Sequence, residues 1–544
     1  MNRRSALVPI TVLLVTALGL VGLDLAATDP DDADVVAGLP VGGGVPASGG
    51  WTCAVGDDRE GTDVEVEVVR PDASGDGPAT VELEVVDGGG VTPVALPRLF
   101  PGAATRTDVE VSETGAATAR WFEGPATVNR SWRLTGDEGD LPPGTVAGPC
   151  AASTAATTWT VPGMRTSGGS EARLRLANPH GSAATVSIRF LTPDGVEDPT
   201  VLRNVSVPAR GTVEVPVNDF LPEQDDLAAV VDVLSGRVAL EGVQLSRSAI
   251  GGIDGASLLA AATAPAETWT VPWVVDGDDR ASWLWVVNPS SRTAPLELTL
   301  HTPDGGTPPE GLAEVTVPPN TVRRVDLRGT FPEDATSAAV TVRSDGVPVL
   351  VSGAAELQAD EPEDTGFAVQ LGTPELDRTW VVAGGATQDR ADRLRLVNPG
   401  SEPAVIDVSL YDGGTVRRPV ELADVEVPPG ALVSLDLTSL LDDAASWAAT
   451  IVASTGELVV GHVGQGDPDG PLHLVAGPGA PSSSWLAPDA GLRAVEAPGT
   501  TRRLGTPFGV RPASDPLPAV DEDEDAPDGT TPEEPATDDA TGSR

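Results

Sequence analysis

Arg173-Leu174-Arg175-Leu176-Ala177-Asn178-Pro179 returns as Trp283-Leu284-Trp285-Val286-Val287-Asn288-Pro289 and again as Arg393-Leu394-Arg395-Leu396-Val397-Asn398-Pro399. The three asparagines stand 110 residues apart each time. In every copy a strand-like run stops at Asn-Pro, where asparagine favours a turn and proline cannot donate to a ladder. A fixed interval of this kind is the mark of a repeat architecture.

The repeat extends on both sides of that stretch. Trp159, Trp269 and Trp380 open the three copies at intervals of 110 and 111. After Asn-Pro comes a second alternating run, Val186–Phe190 or Leu296–Leu300, which enters Pro193-Asp194-Gly195 or Pro303-Asp304-Gly305. The third copy runs from Ile406 to Leu410 and on to Asp412-Gly413. Asp-Gly after such a run is a hairpin signal, because glycine accepts the positive φ of the turn. Val207-Pro208, Val317-Pro318-Pro319 and Val427-Pro428-Pro429 then lead into further strands. A degenerate fourth copy lies upstream: Trp51 precedes Trp159 by 108, and Arg70-Pro71 replaces Asn-Pro. Trp485 falls 105 after Trp380 and reads as a closing strand for the last unit.

About seven short alternating strands per hundred residues suit an all-β fold of tandem immunoglobulin-like β-sandwich repeats. A propeller is the alternative, but its repeats are usually nearer 40–50 residues. The expected units are therefore repeat 1 over 51–152, repeat 2 over 153–264, repeat 3 over 265–375 and repeat 4 over 376–490. Cys53 and Cys150 are the only cysteines. They flank the first unit, and in an exported chain an even pair favours a disulfide.

The two ends read differently from the body. Arg3-Arg4 precedes an uncharged, mostly apolar run from Ala6 to Leu23, at the boundary between a signal-peptide core and a spanning helix. Residues 1–27 are thus a signal peptide or a membrane anchor with the N-terminus inside, the anchor being the expectation and cleavage after Ala27 the alternative. Residues 28–50, with four aspartates and many glycines, form an acidic stalk, and 491–544 form an acidic tail with little to bury.

Composition narrows the function. The formal net charge is −47, which repels nucleic-acid phosphates and excludes nucleic acid as a partner. Four histidines, His180, His301, His462 and His473, share no metal-ligand spacing, and no metal or other cofactor is expected. There is no G-x-S-x-G elbow, phosphate loop or H-E-x-x-H helix. Acidic clusters such as Asp276–Asp279, Asp467–Gly470 and Asp521–Asp525 lack the bidentate spacing of a calcium loop and read as solvated segments. The tryptophan that opens each unit reads as core packing. Trp273, Trp283 and Trp285 cluster in one unit only and are the candidate carbohydrate-contacting residues.

The ordered set of opening Trp, L-x-L-x-N-P, Val-Pro-Pro and Arg-Arg leader resembles a family of large secreted actinobacterial proteins designated only as of unknown function. That resemblance covers roughly residues 51–490 and implies export and β-sandwich repeats, with no site residues to carry over. Arg70, where Asn is expected, departs from the pattern. The functional expectation is a non-enzymatic extracytoplasmic envelope protein, a scaffold, spacer or adhesion module whose partner is an envelope component or surface protein. A polysaccharide- or peptidoglycan-binding module is the alternative, and an extracytoplasmic hydrolase a distant third.

Overall fold

The computed structural model describes residues 48–482 apart from 55–61, 73–77, 88–89, 111–114, 123–124, 135–143, 153–155, 247–254, 358–365, 389, 413–414, 442–443 and 467–473. The leader, the stalk, the acidic tail, Trp485, Asp521–Asp525, Asp467–Gly470 and His473 lie outside these residues. Among those described, the helices are short turns such as Thr438–Leu441, and none is long and apolar enough to cross a membrane. A transmembrane helix is therefore not part of the described fold.

Successive strands of a repeat alternate between two sheets, as repeat 2 illustrates. Thr158–Met164, Leu227–Ser235, Ala184–Thr192 and Gly195–Glu197 lie side by side in one sheet. Gly211–Pro216, Glu171–Asn178, Ala239–Ser246 and Gly255–Ala260 form the other. All pairings are antiparallel, and the same order holds in the other three repeats. Four repeats thus give eight sheets.

The eight sheets are the blades of a β-propeller, which corrects the expectation of tandem immunoglobulin-like sandwiches. The second blade of each repeat packs on the first blade of the repeat before it, and that of repeat 1 packs on repeat 4, so the ring closes. Four hydrogen bonds mark these junctions. Ala54 N–H donates to Glu241, Trp285 Nε1 to Asp226, Arg395 Nη2 to Ser337, and Gly384 N–H to Glu67.

Burial explains why a sandwich fails. A sandwich strand keeps one wet face, whereas Arg280–Asn288 is buried at every position after the first and Ala239–Ser246 along its whole length. Only a blade enclosed by neighbours on both sides has that pattern. One apolar core runs unbroken from Trp159 in repeat 2 to Val369 in repeat 3. The long interval misled because one 110-residue unit supplies two interleaved blades, about 55 residues each and close to the usual propeller spacing.

The repeat markers have structural work to do. Asn178, Asn288 and Asn398 are buried, and each Nδ2 donates to the carbonyl four residues on, at 2.8, 2.7 and 2.8 Å. Each also donates to the Val-Pro segment and accepts the N–H two residues ahead. Trp51, Trp269 and Trp380 bury their rings and donate Nε1 to Ala126, Val349 and Leu458 carbonyls. Cys53 and Cys150 are bonded, with their Cα atoms 4.7 Å apart, and tie the two blades of repeat 1 together as expected.

Candidate functional site

The innermost strands of the second blades, Gly144–Pro149, Gly255–Ala260, Gly366–Leu371 and Leu474–Pro478, gather about the axis of the ring. One cross-strand pair sits at the same register in every repeat: Arg130 opposite Gly148, Gly242 opposite Leu259, Gly353 opposite Gln370, and His462 opposite Gly477. In repeats 2 and 3 the glycine is on the outer strand of the pair, because a Cβ at Gly242 would lie 2.9 Å from Val161 and one at Gly353 2.6 Å from Val271. The bulk therefore goes to Leu259 and Gln370. Repeats 1 and 4 invert the arrangement, with the large polar residue outside and glycine innermost.

Those two repeats are the ones that meet where the ring closes. A crevice of about 60 Å³ lies between them, and its lining includes Gly148, Gly477, Asn129, His462, Val381 and Val382. Nothing lies within 4 Å of a Cβ built on Gly477, so the space there is open. Gly384 at φ +80° sits beside Asn129, whose Nδ2 occupies the place a Cβ would take.

A buried ionic network backs the crevice. His462 Nε2 lies 3.2 Å from Asp392 Oδ2, and the imidazole edge stacks on Trp447 at 5.1 Å between centroids. Asp392 Oδ2 also receives the Trp447 indole N–H at 2.8 Å, the Ala386 N–H at 2.7 Å and Arg390 Nη2 at 3.2 Å. Burial works against its charge, but His462 and Arg390 outweigh that and hold its carboxyl below the usual carboxylate range. Arg390 in turn donates to the Gly384 carbonyl at 3.0 Å, while Gly384 N–H donates across the seam to Glu67. Glu67 is pushed the other way: burial raises its pKa, and the nearby Arg106 offsets only part. Arg106 reaches Glu65 at 3.3 Å and the Gly385 carbonyl of repeat 4 at 3.4 Å.

The three clustered tryptophans occupy a different junction. Trp283 and Trp285 are buried, meet edge to face at 5.5 Å, and fill the gap between repeat 3 and repeat 2. Arg324 covers Trp283 at 4.1 Å, and Trp285 Nε1 donates to Asp226 at 2.6 Å. Trp273 is buried with Val275, Ala355 and Val463, and its carbonyl accepts Gln370. Their ring faces are spent on packing. His180 donates its backbone N–H to Asn178 Oδ1 at 3.0 Å, and His301 bonds the Gly430 carbonyl at 2.8 Å across the repeat 3–4 junction.

Sequence reading passed over His462 because Asp392 stands 70 residues away, and only strand pairing brings them together. A signal was present. Aligning the repeats places glycine at 242 and 353, arginine at 130 and histidine at 462.

The model of a family described as a family of unknown function (DUF5719) matches residues 103–379 and 372–484. No curated protein matches the chain.

Proposed function

The chain belongs to this family of unknown function, and we propose that it is a non-enzymatic extracytoplasmic envelope protein that serves as a scaffold or adhesion platform. The observation that carries this reading is the use made of its buried polar groups. Glu241, Trp285, Arg395 and Glu67 each join one blade to the next, and Asp392 Oδ2 accepts from Trp447, Ala386 and Arg390. Charges held this way fix a rigid ring rather than move protons. The Cys53–Cys150 bond supports an oxidising compartment, where such bonds persist. Cell fractionation with in vivo cross-linking tests the proposal: recovery with envelope components supports it, and recovery only with cytoplasmic proteins refutes it.

Binding of an envelope polymer, a polysaccharide or peptidoglycan, is the second reading. The axial crevice with its two buried polar side chains favours it. Retention of the protein on purified cell wall is the expected result, and passage through unretained counts against it.

A further inference from the structure

We infer that the axial crevice between repeats 1 and 4 is a binding site for an acetamido group, a neutral amide carrying a methyl. The inference deepens the second reading above and takes from it only the two sources considered for the group.

Position comes first. Glycine inside a strand marks a place where another group approaches closely. Repeats 2 and 3 fill this register from the inner strand with Leu259 and Gln370, and in repeat 1 a Cβ on Gly148 would meet Leu258 of repeat 2 at 3.1 Å, whereas Gly477 of repeat 4 leaves it open. The void is thus a departure from the repeat that arises at Gly477 in repeat 4.

Size comes next. At about 10–15 Å³ for each water-sized atom, a crevice of about 60 Å³ takes on the order of four to six heavy atoms. That suits the four heavy atoms of an acetamido group.

Chemistry then selects among small groups. His462 and Asn129 line the crevice and are more than nine-tenths buried. The Nε2 of His462 lies 3.2 Å from Asp392 Oδ2, so we assign Nδ1 to the ligand. An imidazole nitrogen and a carboxamide together can give and accept a hydrogen bond, matching the C=O and N–H of an amide. Val381, Val382 and Ala147 supply the apolar wall a methyl needs. A carboxylate or phosphate is disfavoured by the strongly acidic surface, with its formal net charge of −47.

The test uses the full chain with histidine labelled at Cε1, N-methylacetamide as probe, and His462→Gln to assign the ring signal. A saturating shift of the His462 resonance in the millimolar range is expected, with the His301 signal unmoved. Gly477→Leu, which meets no neighbour within 4 Å at its Cβ, should fill the crevice and weaken binding at least tenfold while thermal unfolding stays near that of the parent. A non-saturating response, or saturation that survives Gly477→Leu, overturns the proposal. N-acetylglucosamine and N-acetylalanine methylamide then separate a sugar source from a peptide one. If neither shifts His462 where N-methylacetamide does, the crevice does not admit the tethered group and the proposal falls. Loss of wall retention with the probe still bound would refute polymer binding without touching the crevice.

Discussion

Asp392 and Glu67 are two buried carboxylates whose pKa values are driven apart by their surroundings. Asp392 has a depressed folded pKa, so its stabilising effect is present above the unfolded value near 4 and is lost as pH falls through the folded one. Asp392→Asn should cost about 3–5 kcal/mol at pH 7, because it leaves Arg390 buried without its counter-charge. The deficit should shrink in acid, read as the difference in urea midpoints between pH 7 and pH 3. Glu67 has the opposite sign. Its raised folded pKa means its contribution is fully present below the unfolded value and is lost as pH rises through the folded one. Glu67→Gln keeps an acceptor for the Gly384 N–H and removes the buried charge. Relative to the parent it should therefore be more stable at pH 7 than at pH 4, measured by thermal unfolding in matched buffers.

The strands bearing these residues were legible without a structure, but their partners were not. Alternation of Leu394 and Leu396 locates a strand, and Asn398-Pro399 ends it. Asparagine as a turn former is what the bonds of Asn288 show, and Asn288→Ala should cost about 2 kcal/mol, since the buried carbonyl of Val317 and the part-buried one of Arg292 lose their donor. Urea denaturation checks this. Glycine at the axial register gives a sharper contrast. Gly353→Ala places a methyl against Val271 and should cost about 1–3 kcal/mol by overpacking. Gly477→Ala at the equivalent position of the inner strand meets open space and should change stability by less than about 0.5 kcal/mol. A sequence shows glycine at both places; only the packing tells which one is required.

At the scale of the whole ring, repeats 2 and 3 share one continuous core, and at the seam the core of repeat 1 takes in Val381, Tyr411 and Ala448 of repeat 4, with polar ties from Glu67, Arg106 and the contact of Asp72 with Tyr411 and Arg418. The Cys53–Cys150 bond closes a loop with a sequence separation of 97 in the repeat beside that seam. In the chain-entropy account such a loop is worth about 4–5 kcal/mol. Reduction, or a Cys53→Ser/Cys150→Ser variant, should lower the unfolding temperature by several degrees and make repeat 1 the first site of limited proteolysis. Cleavage starting in repeat 3 would count against it.

The sequence by itself determined the repeat, its strands, its turns and its one disulfide, because alternation, Asn-Pro, Asp-Gly and paired cysteines act over a few residues or by elimination. The tertiary structure alone decided that consecutive strands go to different sheets, that each unit yields two blades, and that the last repeat closes on the first. It also set His462 against Asp392 beside an open crevice and hid Trp283 and Trp285 inside a junction. Periodicity reports which face of a strand is apolar, but it is silent on which neighbour covers that face. Sandwich and propeller share one local pattern, and they part only when both faces of the middle strands are found buried.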